Sequence, residues 1–386
     1  MANFERYFVS GLALQNNKIE VILPTGNYYG NNIDCDKNRE GNINGVPYKH
    51  LCFINHPRNY IGKIFDNICG LILPVFSLIK KSIKKDLDII IICDSHFLKT
   101  LIFVITKNVL RKKLVIILPE FYEKPKNRHV SLSVINWYSF YFGIRFVVKY
   151  ADGFIVLTHY MKRYIREKLN SKKDVLIIPN LTDPKKFERR NVKPFIENKI
   201  TIGYTGTPTQ KDGILDLIKS FSILNKKYRN THLLIIGDLT NGKTLIPALK
   251  EYASSQRVLE NISFTGLVSH NRIPDLLNSC QILALTRPNG IFAEAGFPTK
   301  LSEYFACKKP VVITSVGDIP RYFSNEENVI LVIPENIESI VAGFEILLKN
   351  KDLAERISQN GYNWMDQNTN YLNISPDISL FLDRLV

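Results

Sequence analysis

Short apolar runs alternate with longer segments of helical periodicity along most of the chain. In the first half the runs are IEVILP, DIIIIC, LVIILPE, FIVLT and VLIIPN, and helix-type segments such as SHFLKTLIFVITKNVL lie between them. A parallel strand is usually buried on both faces and therefore apolar throughout, and a helix usually connects it to the next parallel strand. The pattern predicts an α/β fold with parallel sheets covered by helices.

A second alternating series runs from ITIGYTG through LLIIGD, ISFTG, QILALT and PVVITS to VILVI. The chain has 386 residues, more than one hydrophobic core usually supports, so two domains are expected. Residues 181–199, LTDPKKFERRNVKPFIENK, hold two prolines and many charges and are typical of a connection. We predict an N-terminal domain with this connection over residues 1–195 and a C-terminal domain over 196–365. Residues 366–386 are expected to form a helix that packs back on the N-terminal domain.

The excess positive charge lies entirely in the first half. Residues 1–195 hold 32 lysines and arginines against 16 acidic residues, whereas residues 196–386 hold 19 against 20. Such a field usually marks a polyanionic partner, either nucleic acid or an anionic membrane surface. The plainer alternative is that the lysines only make the chain soluble.

No apolar run approaches the roughly 20 residues that cross a bilayer. The start MANFERYFVSGLALQ lacks the features of a secretory signal, so a cytoplasmic location is expected. The six cysteines show no CxxC spacing and no accompanying histidine cluster, which favours buried apolar cysteines over a zinc site or disulfides.

The second half carries five motifs in a fixed order, each weak alone. They are IPNLTDPKKF, IGYTGTPTQKDGILDLIKS, LLIIGD, ISFTGLVSHNRIPDLLNSCQILAL and GFPTKLSEYFACKKPVVITSVGDIPRYF. Together they resemble the family-4 retaining glycosyltransferases, especially bacterial members that build surface polysaccharides. The resemblance implies the GT-B architecture, in which two Rossmann-like domains enclose a donor cleft. It also implies a UDP- or GDP-linked sugar as co-substrate, with no other cofactor.

The first part of the implied donor site follows the strand ITIGYTG. Gly206 ends that strand where a phosphate could approach the backbone, and Lys211 stands at the start of the next helix, where the resemblance makes it the diphosphate contact. The alternative for Lys211 is an ordinary surface lysine. Thr207 occupies the place of a family arginine, so the second phosphate cation is either absent or supplied by Arg287 or Lys300.

The second part lies in GFPTKLSEYFAC. Gly296 and Phe297 are expected to form a tight loop, and Pro298 with Thr299 the start of a helix that Thr299 caps, with its N-terminus toward the diphosphate. The remaining candidates are Lys300 and Glu303, of which Glu303 would accept from the ribose hydroxyls, as its family equivalent does. The alternative is that Lys300 and Glu303 are only a pair of oppositely charged residues on the surface of the helix.

The family's second glutamate would contact the transferred sugar, but its place holds Ala295. Either the loop bulges so that Glu294 reaches the sugar, or this contact is absent. Gly266 to Val268 match the loop whose backbone meets the nucleobase. His96 follows a strand where the donor cleft should open, although a lone histidine there is more often structural.

Asp86 and Asp88 form a DxD pattern at the entry of a strand, where an aspartate commonly just begins the strand, and no metal is expected. Family members also open with a strand and a glycine-rich turn before the helix that MANFERYFVSGLA resembles. Either the true start lies upstream of Met1, or this domain is compromised.

The sequence therefore favours a metal-independent hexosyltransferase that acts on a lipid-linked or growing surface glycan, with Lys211 and Glu294 as the catalytic candidates. The basic runs KKSIKK and RKK and the aromatic segment VINWYSFYFGIRF suggest a peripheral position on the inner face of the cell membrane, unless the aromatics are core. The alternatives are a nucleic-acid-binding protein, which leaves the motifs unexplained, a sugar-nucleotide epimerase, and an inactive paralogue. No nucleic acid is expected as a partner.

Overall fold

The computed structural model describes residues 3–23, 40–51, 60–119, 121, 132–188, 192–240 and 242–386. These residues form two compact units. The first comprises Met1–Pro179 together with Ile374–Val386, and the second comprises Asn180–Asn373.

The first unit alternates strands and helices after an opening helix. Its elements are α1 (Asn3–Leu14), β1 (Val21–Leu23), β2 (Glu40–Ile43), β3 (Val46–His50), α2 (Tyr60–Ile83), β4 (Ile89–Ile92), α3 (Phe97–Leu110), β5 (Lys113–Leu118), α4 (Leu132–Tyr150), β6 (Gly153–Val156), α5 (His159–Arg163) and β7 (Asp174–Ile177).

The described strands of the first unit form two sheets. Strands β4-β5-β6-β7 are parallel neighbours in that order, and the smaller sheet has the order β1-β3-β2, with β2 antiparallel to β3. All of β6 and nearly all of β5 are buried, because helices cover this sheet. The C-terminal residues pack in the same unit, where Asn17 Nδ2 donates to Ser379 Oγ at 3.0 Å.

The second unit contains one six-stranded sheet and its covering helices. Its elements are α6 (Pro184–Phe187), β8 (Ile200–Thr205), α7 (Ile214–Lys227), β9 (Thr231–Ile236), α8 (Ile246–Ser255), β10 (Ile262–Phe264), α9 (Ile273–Asn278), β11 (Ile282–Leu285), α10 (Ile291–Ala295), α11 (Thr299–Ala306), β12 (Val311–Thr314), α12 (Ile319–Tyr322), β13 (Ile330–Val332), α13 (Ile337–Lys349) and α14 (Lys351–Asn368). A last helix, α15 (Tyr371–Asp383), begins in this unit and ends in the first.

The strand order of the second unit is β10-β9-β8-β11-β12-β13, and every pair is parallel. The chain builds outward from β8 in one direction and then returns to build outward from β11 in the other. Such a reversal leaves a crevice at the carboxyl ends of the two central strands, which is where doubly wound sheets bind ligands. Residues that follow β8 and β11 therefore define the candidate site.

The structure confirms the predicted fold class of two Rossmann-like α/β units with helix-covered parallel sheets. It also shows elements that the pattern did not predict: the β2–β3 pair and the short helices α6, α10 and α12. Residues 181–188 and 192–199, taken from the sequence as part of a connection, lie in the second unit and include α6. Cys280 and Cys307 are buried as expected, whereas Cys69 and Cys93 are only half-buried. No helix in the described ranges is long and apolar enough to cross a bilayer.

Candidate functional site

Glycines follow the carboxyl ends of three neighbouring strands of the second unit. Gly206 follows β8 with φ 123°, Gly237 follows β9 with φ 113°, and Gly266 lies just beyond β10 with φ 69°. A Cβ on Gly237 would lie 2.5 Å from the Gly206 carbonyl oxygen, so the two backbones approach too closely for a side chain. These left-handed conformations, which favour glycine, expose backbone at the carboxyl edge of the sheet.

Lys300 of α11 reaches across to the end of β8. A Cβ on Gly206 would lie 2.2 Å from Lys300 Cε, so the lysine stem occupies the space that a side chain there would need. Lys300 Nζ donates to the Tyr204 hydroxyl at 3.0 Å and forms an ion pair with Asp212. The amine is thereby held beside the backbone of Gly206.

Asp212 lies between two cations. Arg287, which follows β11, donates from Nε to Asp212 Oδ1 at 3.1 Å, and the Tyr204 hydroxyl donates to Asp212 Oδ2 at 2.7 Å. Burial of Asp212 would raise its pKa, but Lys300 and Arg287 outweigh that effect and hold the pKa below its ordinary value. Burial lowers the pKa of the Lys300 amine, and the Asp212 carboxylate counteracts this in part.

The segment between α10 and α11 is three residues long and mostly buried. Phe297 and Pro298 are buried, and Pro298 is the N-cap of α11 with φ −71° and ψ 110°. The prediction that Thr299 caps this helix is wrong, because Thr299 is already helical and no side chain caps the N-terminus. Asn180 Nδ2 instead donates to the Thr299 carbonyl at 3.1 Å.

Glu303 lies one turn beyond Lys300 but is not its ion-pair partner. Burial raises the pKa of Glu303 to about 7, and Lys300 counteracts this only in part. Among the described residues no side chain hydrogen-bonds its carboxylate, which is half-buried. Glu303 therefore keeps free acceptor oxygens and titrates near neutral pH.

The other predicted residues lie at various distances from this cluster. Lys211 is exposed, and its Nζ lies 6.0 Å from the ring centroid of Phe292 in α10, the helix that also carries Glu294. Thr207 adjoins Gly206, and its carbonyl lies 2.9 Å from the Tyr204 hydroxyl. Val268 is half-buried, two residues after Gly266. His96 belongs to the first unit, where it is the N-cap of α3 and its backbone N–H donates to Asp94 Oδ1 at 2.7 Å.

Asp86 and Asp88 do not form a metal cluster. Both are exposed, and Asp86 pairs with Lys18 at 3.1 Å. Over the described ranges of the chain, no group of three or more histidine, cysteine or acidic side chains could hold a metal ion.

Sequence reasoning missed Asp212, the Tyr204 hydroxyl that donates to it, and Tyr304, which holds the end of the same strand. The hydroxyl of Tyr304 accepts from the Thr205 backbone N–H at 2.9 Å, so it fixes the last residue of β8. A signal was present, since KDG places an acidic residue directly beside the predicted phosphate lysine, where a solvated carboxylate would oppose an anion. Such a residue should have been assigned a cationic partner.

Comparison with known proteins finds a family that matches the second half of the chain. Residues 185–364 match the family described as "Glycosyl transferases group 1". These residues are a glycosyl transferases group 1 domain. The domain contains Gly206, Asp212, Arg287, Lys300 and Glu303.

Two curated relatives are similar to the chain over part of its length. The uncharacterized glycosyltransferase MJ1069 of Methanocaldococcus jannaschii is 23% identical over 63% of this chain and 61% of its own length. The capsular polysaccharide biosynthesis glycosyltransferase CapM of Staphylococcus aureus is 26% identical over 46% of this chain and 44% of its own length. The matches therefore span less than two thirds of these relatives.

A solved structure resembles nearly the whole fold. Anabaena Alr3699/HepE, in complex with UDP and glucose, superposes with a TM-score of 0.67 at 15% identity and covers 98% of this chain and 95% of its own. The likeness agrees with the GT-B architecture expected from the sequence.

Proposed function

We propose that this chain transfers a hexose from a UDP- or GDP-linked donor to a lipid-linked or growing surface glycan, with the anomeric configuration retained. The observation that carries the proposal is the cluster of Gly206, Lys300 and Arg287 at the crevice of the second-unit sheet. A glycosyl transferases group 1 domain spans this cluster, which supports the assignment of a donor site there.

The diphosphate of the donor fits the cluster by charge and by shape. Glycine at Gly206 makes room for the Lys300 stem against the backbone, so Lys300 and Arg287 place positive charge at the carboxyl end of β8. The backbone amides at the start of α11 and the exposed Lys211 add to this field. Because the leaving diphosphate gains charge as its bond to the sugar breaks, donors fixed in advance lower the barrier.

The rest of the nucleotide is assigned to residues beside the cluster. Glu303 would accept hydrogen bonds from the ribose hydroxyls, since its carboxylate has free acceptors, and the backbone from Gly266 to Val268 would meet the base. Glu294 is proposed to contact the sugar.

The proposed reaction uses no protein nucleophile. The bond between the anomeric carbon and the diphosphate oxygen breaks, and a bond from that carbon to the acceptor oxygen forms on the same face. The proton of the acceptor hydroxyl passes to the leaving diphosphate, whose charge Lys300, Arg287 and Lys211 stabilise. No divalent cation is required in this scheme.

The nature of donor and acceptor is taken from the relatives. HepE was solved with UDP and glucose, which favours a uridine donor, and CapM acts in capsular polysaccharide biosynthesis, which favours a surface glycan.

Titration calorimetry with UDP and with GDP tests the donor site, and sugar transfer to a bacterial lipid extract tests the activity. We expect Glu303→Ala to weaken binding, whereas Glu355→Ala, at an exposed position on α14, should not. Proton NMR of the first product distinguishes retention from inversion at the anomeric carbon. Absence of binding to both nucleotides would refute the donor site, and a donor sugar converted to its epimer without transfer would favour an epimerase.

A further inference from the structure

Three helices of the first unit carry most of the large hydrophobic residues that are exposed in the described chain. Thirteen of the nineteen large hydrophobic residues exposed there lie on α2, α3 and α4. Single exposed hydrophobics are ordinary on a soluble surface, but a contiguous group marks an interaction site.

The exposed residues of α2 form a stripe along one side of the helix. Phe65, Ile68, Ile72 and Phe76 are 45%, 49%, 48% and 64% exposed, and their spacing of three or four residues places them on one face. The opposite side is buried through Gly70, Pro74 and Leu78. Helix α2 is therefore apolar both toward the core and toward the solvent, which core packing alone does not require.

Helices α3 and α4 repeat this arrangement. On α3 the outward residues are Leu98, Ile105 and Val109, which are 54%, 54% and 72% exposed. On α4 they are Ile135, Tyr138 and Phe142, which are 53%, 48% and 54% exposed. We refer to these six residues and the four of the α2 stripe as the α2–α4 face.

The three helices are neighbours. Helix α3 contacts both α2 and α4. A Cβ on Gly143 of α4 would lie 1.9 Å from the Ser95 carbonyl oxygen, so the start of α3 and the middle of α4 touch at the backbone. The Phe97 ring of α3 lies 5.5 Å from that of Phe146, which lies 4.9 Å from Tyr150.

The charges on these helices have almost one sign. Neither α3 nor α4 contains an acidic residue, and α2 contains one, Asp66. Each helix ends directly before a strand of one parallel sheet, so the three C-termini gather at the amino edge of that sheet. There the exposed residues Lys80, Lys84, Arg111 and Lys149 form a basic rim.

We propose that the α2–α4 face docks on the surface of an anionic lipid bilayer. The apolar side chains enter the boundary between headgroups and acyl chains, and the basic rim contacts lipid phosphates. A second copy of the chain fits less well, because two such faces would bring like charges together. Nucleic acid fits less well because six of the ten residues of the face are aliphatic and offer a base neither stacking nor hydrogen bonds, and because the basic rim lies at the helix C-termini and not among the four aromatic rings. A bilayer also holds lipid-linked acceptors. That docking brings the enzyme to such an acceptor is the only part of this inference that rests on the proposed function.

The test is co-sedimentation of the full chain with phosphatidylcholine vesicles prepared with and without phosphatidylglycerol, across a salt series. We expect binding to the anionic vesicles that weakens as salt rises and little binding to the neutral ones. The double variant Ile72→Ser/Phe76→Ser should bind vesicles at least about tenfold more weakly, because two apolar side chains that would move from water into the bilayer are missing. Lys80→Glu/Lys84→Glu should lose the preference for anionic lipid.

Matched controls lie elsewhere on the surface. Ile223→Ser/Leu380→Ser removes two hydrophobics that are 42% and 58% exposed, and Lys226→Glu/Lys250→Glu reverses two exposed charges. Both control variants should bind vesicles like the natural chain. Equal vesicle binding by Ile72→Ser/Phe76→Ser and its control would overturn the proposal, and so would no vesicle binding by the natural chain.

Two further measurements separate the remaining outcomes. Light scattering that shows a dimer in the natural chain and a monomer in Ile72→Ser/Phe76→Ser would identify the face as a self-interface and overturn the bilayer proposal. UDP titration of the same samples distinguishes this inference from the donor site. If the natural chain binds UDP but not vesicles, only the docking face is refuted, and if it binds vesicles but not UDP, only the donor site is refuted.

Discussion

The ion-pair cluster at Asp212 gives the sharpest quantitative test. Asp212→Asn keeps the shape of the side chain and removes the charge that Lys300 and Arg287 share. The side chains of these three residues are 10%, 14% and 19% exposed, so water screens the change only weakly.

The expected cost follows from this burial. Removing one partner of a buried ion pair typically costs about 3–5 kcal/mol. Asparagine can still accept the hydrogen bond from Arg287 Nε, so we expect a loss of about 2–4 kcal/mol in the free energy of unfolding. For a unit of this size that corresponds to a fall of roughly 4–16 °C in melting temperature.

The difference in unfolding free energy between the natural chain and Asp212→Asn should depend on pH with a definite sign. Because the folded-state pKa of Asp212 is lowered, its contribution to stability is fully present above the unfolded-state pKa of about 4. That contribution is lost as the pH falls through the folded-state value. The natural chain should therefore exceed Asp212→Asn in stability at neutral pH, and the difference should shrink below about pH 4.

Chemical denaturation at several pH values measures both effects. The matched control is Asp216→Asn on α7, where burial and then Glu335 raise the pKa of the carboxyl, so losing that charge should not destabilise the fold. If Asp212→Asn were as stable as the control at neutral pH, the carboxylate would not be the charge partner of Lys300 and Arg287.

Three further results are expected at the proposed donor site. UDP affinity should rise between about pH 6 and pH 8 as Glu303, with a pKa of about 7, loses its proton, and Glu303→Gln should bind with no such dependence when titrated by calorimetry. Lys211→Ala should bind UDP about tenfold more weakly, while Lys219→Ala, exposed on α7, binds normally; equal affinities would remove Lys211 from the site. EDTA should leave turnover of the nucleotide-sugar unchanged because protein cations neutralise the diphosphate, and loss of turnover restored by magnesium or manganese would contradict this.

The architecture was predictable because its signals are local. Apolar runs such as DIIIIC and LVIILPE are long enough to require burial on both faces, and helices separate them at regular intervals. The β2–β3 pair was also readable: Asn44 and Gly45 take φ values of 50° and 88° at its turn, and Asn-Gly is a strong hairpin signal.

The site was predictable in its glycines and its helix but not in its charges. Gly206 follows an apolar run and is recognisable from the sequence alone. The pairing of Asp212 with Lys300 joins residues 88 positions apart, and no periodicity encodes such a contact. Helix α2 is apolar on both sides, so its sequence does not indicate which side faces solvent. The exposed stripe is seen only in the folded structure.

The chain contains two tryptophans, and each lies in a different unit. Trp137 of α4 stacks on Tyr141 with ring centroids 5.0 Å apart, beside the α2–α4 face. Trp364 of α14 stacks on Phe297 with ring centroids 5.9 Å apart. Phe297 directly precedes Pro298, the N-cap of α11. Each unit therefore carries its own intrinsic fluorophore. In Trp137→Phe the emission should report the proposed nucleotide binding, and in Trp364→Phe it should report the proposed lipid contact, so both events can be timed in one sample series without an attached dye.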